Sequence, residues 1–156
     1  MFQSADLSSF TFEDCVFKTC NLSLARVAGA AFKNVRFEAC KMQGVNCFEC
    51  CSTVLSVRFV KCDLRCSSFD GLPLRKTVFE DCSLREVQFA RADLTGSSFI
   101  RCDLARAAFL HTNLEKTDFS TAYNFVLDPD ANHLRKAKFS VSGLPGLLEK
   151  YGLGVE

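Results

Sequence analysis

Large apolar residues fall on every fifth position through most of the chain, a period that suits neither a 3.6-residue helix nor a two-residue strand. From Phe59 the series is Phe59, Leu64, Phe69, Leu74, Phe79, Leu84, Phe89, Leu94, Phe99, Leu104, Phe109, Leu114 and Phe119. An earlier block keeps the step in another register: Phe2, Leu7, Phe12, Phe17, Leu22, Val27, Phe32, Phe37, Met42 and Cys47. The registers differ by two residues, which places an insertion between Cys47 and Val54, at about 48–53. Two residues before each centre stands a second inward position that is small almost throughout, as at Ala25, Val45, Ser52, Ala92 and Ala107; Phe10 and Leu72 are the large exceptions. Self-similarity at a fixed period predicts a stacked architecture in which each unit buries its apolar face against its neighbours.

Polar residues stand just before many centres, most plainly in Ala-Asp-Leu at 5–7 and 92–94, Cys-Asp-Leu at 102–104 and Thr-Asn-Leu at 112–114. This pattern resembles the pentapeptide repeat family over about residues 1–122. The resemblance implies an all-β fold, a right-handed quadrilateral parallel β-helix in which each pentapeptide forms one side and four form a 20-residue coil, giving about six coils. Residues one coil apart should then stack and share shape, and they do. Phe17, Phe37, Phe59, Phe79, Phe99 and Phe119 form one column; Leu22, Met42, Leu64, Leu84 and Leu104 form the next, and Cys20, Cys40, Cys62, Cys82 and Cys102 form a column of small fillers beside it.

Beyond the tube, residues 123–156 read as a C-terminal helical cap or dimerisation segment. Asp128-Pro129 predicts an N-cap and first helical residue ahead of 130–138. Leu144, Leu147, Leu148 and Tyr151 stand at helical spacing before Gly152, a stripe that either covers the last coil or joins two copies as a homodimer. At the other end the repeat begins at Phe2 with nothing in front, so Met1, Phe2 and Phe10 either shield that edge or use it as a contact.

Charge narrows the function. Residues 1–122 carry 14 acidic and 15 basic side chains, a neutral balance that disfavours a nucleic-acid binder driven by counterion release. Lys41, Arg65, Arg85 and Arg106 form a locally basic run, interrupted by Asp63, Glu86 and Asp103. No stretch approaches the roughly 20 apolar residues of a membrane span, and the opening MFQSADLSSF lacks the basic and apolar regions of a signal peptide. The ten cysteines accordingly read as reduced, in a cytoplasmic protein.

Catalytic and cofactor chemistry is disfavoured. His111 and His133 lack neighbouring nucleophiles or paired carboxylates, and glycine-rich phosphate loops and His-Glu-x-x-His are missing. Cys47, Cys50 and Cys51, with Cys62 and Cys66, have permissible metal-ligand spacings, but the repeat register sends Cys62 inward and Cys66 outward. No cofactor and no bound metal is expected. The sequence reads as a non-enzymatic, rigid protein–protein interaction scaffold with an unidentified protein partner. The first alternative is a topoisomerase-binding DNA mimic: quinolone-resistance proteins of the Qnr and MfpA type in the family mimic DNA and bind DNA gyrase, using an acidic surface and a large loop that this chain lacks. A cysteine-based metal or redox module is the second.

Overall fold

A computed structural model describes residues 2–156, and Met1, one of the residues expected at the N-terminal edge, lies outside them. The chain winds as a right-handed, four-sided parallel β-solenoid closed by a short C-terminal helix. Seven short strands are regular: β1 Thr11–Glu13, β2 Val16–Lys18, β3 Ala31–Lys33, β4 Val35–Glu38, β5 Val57–Val60, β6 Val78–Glu80 and β7 Ser98–Ile100. They pair in parallel as β1-β3 and as β2-β4-β5-β6-β7, and isolated bridges continue the ladders around the other sides. A corner falls every five residues, where residues such as Lys76, Asp81 and Glu86 adopt positive φ, turning the backbone and throwing their side chains outward.

The sides repeat as expected. On the first wall Phe17, Phe37, Phe59, Phe79 and Phe99 are in register from strand to strand, with ring centroids 5.0–5.2 Å apart. Phe69, Phe89 and Phe109 of the third wall meet these rings edge-on across the tube. Stacked and edge-to-face pairs are the two arrangements that the aromatic quadrupole favours, so the core gains geometry as well as burial. The second wall holds Leu22, Met42, Leu64, Leu84 and Leu104, all buried. Cys40, Cys62, Cys82 and Cys102 are buried beside it, whereas Cys20, at the open end, is half-buried.

The insertion lies where the register placed it, and its internal geometry differs from expectation. Partners are 22 residues apart across β4 and β5, against 20 between β5 and β6. The extra residues fold into two 3-10 turns, Cys47–Glu49 and Ser52–Val54. Those turns shift the inward positions: Ser52, expected inside, is exposed, while Cys50 is buried and Leu55 rather than Val54 packs on the core.

The wall also runs further than residue 122. The helix expected over 130–138 is absent; a 3-10 turn at Pro129–Ala131, capped by the Asp128 side chain accepting from the Asp130 N–H, is followed by more coil. Asn113 bridges His133 and Asp118 bridges Lys138. Leu134 packs on the core and Phe139 stacks on Phe119 at 5.2 Å. Asn132 and Leu134, then Ala137 and Phe139, are two more repeats, hidden from the sequence by a nine-residue departure from the five-residue beat after Ala122. Asn132 joins Ser67, Thr77, Ser97, Thr112 and Thr117 as a buried polar inward residue, and its amide is satisfied by the carbonyls of Phe109 and Asp128 and by the Thr112 N–H.

Candidate interaction surfaces

Three surfaces remain once the core is assigned: the outer walls, the C-terminal end and the N-terminal end. On the walls, stacking sets side chains one coil apart beside each other, and unlike charges there pair. Arg101 holds Asp81 at 2.7 Å and Glu80 at 3.2 Å, Arg58 holds Glu80 at 3.1 Å and Arg106 reaches Glu86 at 3.9 Å. The basic run on the second wall is largely neutralised in this way: Arg65 pairs with Asp63 at 2.8 Å and Arg85 with Asp103 at 3.6 Å, which leaves Lys41. Burial pushes the Asp63 carboxyl upward, but hydrogen bonds from Arg65 and Gln43 outweigh it and hold the group below the usual carboxylate value.

The C-terminal end is capped and still apolar outside. Phe125 sits 5.6 Å from both the Phe119 and Phe139 rings. The terminal segment lies across it: a 3-10 turn at Val141–Gly143, then helix α1 at Pro145–Leu148, then a 3-10 turn at Glu149–Tyr151. Gly146 permits the approach, since a Cβ there would stand 2.2 Å from the Phe125 carbonyl oxygen. The Leu127 N–H donates to the Gly146 carbonyl at 3.1 Å, and Lys150 clamps Asp128 and Asp130. Of the predicted stripe, Leu147 faces the core, whereas Leu144, Leu148 and Tyr151 are exposed. Leu148 lines an open groove of about 880 Å³ with Tyr123, Val126, Leu153 and Val155, exposed residues that the sequence did not single out.

At the N-terminal end Phe2 and Phe10 are 46% and 58% exposed, so they leave the first coil open rather than shielding it.

The cysteine candidates do not converge on a site. Cys47 and Cys50 are buried in the core, Cys51 is half-buried and Cys66 is exposed on the second wall. Among the described residues no group of three or more His, Cys, Asp or Glu is placed to hold a metal ion. Burial and the neighbouring Cys51 push the Cys50 thiol up to about 11, the reverse of what a reactive thiolate needs. His111 and His133 are both exposed.

A four-sided parallel solenoid with one large and one small inward residue per five defines its class. The family description "Pentapeptide repeats (8 copies)" matches residues 2–38, and "Pentapeptide repeat region" matches residues 47–119. The chain belongs to the pentapeptide repeat family. Among solved structures it is similar to full-length QnrB1, a plasmid-mediated fluoroquinolone resistance protein, at 19% identity and a TM-score of 0.58, over 97% of this chain and 85% of that one. A trypsin-treated R167E form of QnrB1 is similar at 21% identity and a TM-score of 0.53, over 99% and 85%. No curated protein sequence matches the chain. No helix is long and apolar enough to cross a membrane among the described residues.

Proposed function

We propose that the protein is a rigid binding rod that docks on a type II topoisomerase, the role that its resemblance to the Qnr type implies. The observation that carries this reading is the likeness to QnrB1 over 97–99% of this chain and 85% of that one. The apolar C-terminal end supplies the second element: Leu144, Leu148 and Tyr151 join two copies into a homodimer, doubling the length of the rod. The test is supercoiling by purified DNA gyrase in the presence of a fluoroquinolone. Added protein should restore supercoiling at equimolar concentration; no restoration at a tenfold excess, with no co-elution with gyrase, overturns the reading.

A specific observation favours a second reading, a scaffold for a different protein partner. The wall carboxylates Asp63, Glu80, Asp81, Glu86 and Asp103 are tied to arginines, so they do not form the free acidic surface that mimicry of DNA needs. Capture of partners from the host at 50 and 500 mM salt separates the two. Topoisomerase recovered in the low-salt eluate supports the first, and another protein recovered at both salts supports the second.

A further inference from the structure

Charge on this protein is balanced in number and unbalanced in place. Among the described residues, Lys76, Arg91, Lys116, Arg135 and Lys136 have no ion pair, and all five stand on the fourth wall or along its two edges. That wall carries Leu74, Leu94, Leu114 and Leu134 inside, and its outer face is stacked by the bridges Pro73 to Asp93, Asp93 to Asn113 and Asn113 to His133. Lys41, Lys61 and Lys138 are the other unpaired cations among the described residues, and they lie away from that wall, Lys138 on the first wall one coil from Asp118.

Lys76, Lys116 and Lys136 share one corner column, each at positive φ and exposed. Gly96 occupies the coil between the first two. The Lys76 stem lies over that gap, its Cγ 3.6 Å from where a Cβ on Gly96 would be, which carries the cationic strip across the missing side chain. Lys116, Arg135 and Lys136 then frame a shallow cleft with Glu115. The acids near the strip are few: Asp93 is engaged by Arg75, and Glu115 stands one coil from Arg135 in the cleft and offsets it, which leaves the lysine corner and Arg91 uncompensated. The corner spans three coil steps, about 14 Å at about 4.8 Å per step.

We propose that this wall binds the phosphate backbone of duplex DNA, without reading sequence. Three of the five free cations, the whole corner column, are lysines, compact and strongly hydrated point charges suited to phosphate contact; a site built for acidic side chains would favour the bidentate fork of arginine. The wall offers neither aromatic platforms nor a deep pocket for bases among the described residues, so attraction is electrostatic and released by salt. The neutral total charge conceals this because the pairs elsewhere cancel and the cations here do not. The proposal stands apart from the topoisomerase reading and does not need it.

The experiment is fluorescence anisotropy of a labelled 20-base-pair duplex, titrated with the full chain between 20 and 150 mM NaCl. Expected is saturable binding that weakens with a log–log salt slope of about −3 to −5, the value for four to five phosphate contacts. The double variant Lys116→Glu with Lys136→Glu should lose at least tenfold in affinity at 50 mM and flatten the slope by about 2. Lys41→Glu with Lys61→Glu should stay within twofold. Both variants are checked for unchanged circular dichroism and melting, and Lys116→Gln with Lys136→Gln gives an intermediate loss that does not depend on charge reversal. Absence of binding at 20 mM, equal losses in both double variants, or displacement of DNA by poly-glutamate at equal charge concentration overturns the proposal; the last assigns the wall to an acidic protein.

Discussion

One substitution made at two cysteines should change stability in opposite directions. Cys47 occupies a centre on the third wall, in line with Val27 and Phe69, where a larger side chain is the rule. It lines an apolar cavity of about 30 Å³ with Phe32, Leu55, Phe69 and Leu74. A void of that size could hold a water molecule only if polar groups bound it, and its walls are apolar, so it is empty space. At about 24 cal/mol per Å³, the void costs about 0.7 kcal/mol, and the one extra carbon of valine gains about 0.8 kcal/mol by transfer. The two terms overlap, and Cys47→Val should therefore stabilise by about 1 kcal/mol, a rise of about 2–4 °C in melting temperature. Cys82 has no such space: it is buried between Cys62 and Cys102 and donates its thiol to the Glu80 carbonyl at 3.3 Å. There the added methyl overpacks the column and the donor is lost, and Cys82→Val should cost about 1–3 kcal/mol. Urea unfolding with equal slopes for parent and variants is the assay. If both substitutions move stability in the same direction, or if Cys47→Ala is as stable as the parent, the underpacked insertion coil is wrong.

Removing Ser52 and Thr53 together should leave a cooperatively folding protein, because it sets Val54 five residues after Cys47 and restores the repeat; loss of cooperativity in urea would contradict the register. Leu148→Asp should turn a dimer into a monomer by light scattering without altering the β-rich circular dichroism, and a parent that is monomeric at tens of micromolar would confine the stripe to capping. Gly146→Ala should undock the terminal segment from Phe125 and raise proteolysis after residue 140, since its Cβ meets backbone rather than a flexible side chain. Asp63 is held below its ordinary pKa when folded, so it contributes stability that is full above about pH 4 and is lost as pH falls through its lower folded value; Asp63→Asn should flatten that acid limb of the stability curve. Thiol titration of the folded protein should modify Cys66 first and the buried Cys40, Cys62, Cys82 and Cys102 only slowly, the Cys102 thiol and burial having pushed Cys82 up to about 12.

The tube was legible in the sequence because the central inward positions obey one rule over long runs: Phe59 to Phe119 never miss a beat, and the Phe and Leu columns match in shape at a spacing of 20. What escaped was local. Two 3-10 turns moved the core position from Val54 to Leu55 and brought Cys50 inside, a choice between adjacent residues that a period cannot make. The last coil escaped because the turn at Pro129–Ala131 interrupts the period just before Leu134 and Phe139 restore it, and Pro after Asp is as good a start for a helix as for a single turn. The apolar C-terminal end was half legible: helical spacing found Leu148, but Tyr123, Val126 and Val155 join it around the groove only through folding.

Surface charge is where counting fails most, and the reason is the stacking itself. A solenoid sets residue n beside residue n+20, so an acid and a base at that spacing cancel, as Asp81 and Arg101 do, and contribute nothing to a partner. Where two like charges fall at that spacing they add along a line, as Lys116 and Lys136 do. The useful quantity is therefore the sign product down each column rather than the sum over the chain. Pairs across neighbouring columns matter as well: on the second wall Arg65 and Arg85 stack as like charges, but Asp63 holds the first and Asp103 the second, so that wall is internally settled. The fourth wall and the two ends are left unsettled, and there a rigid rod of this kind has binding energy to spend.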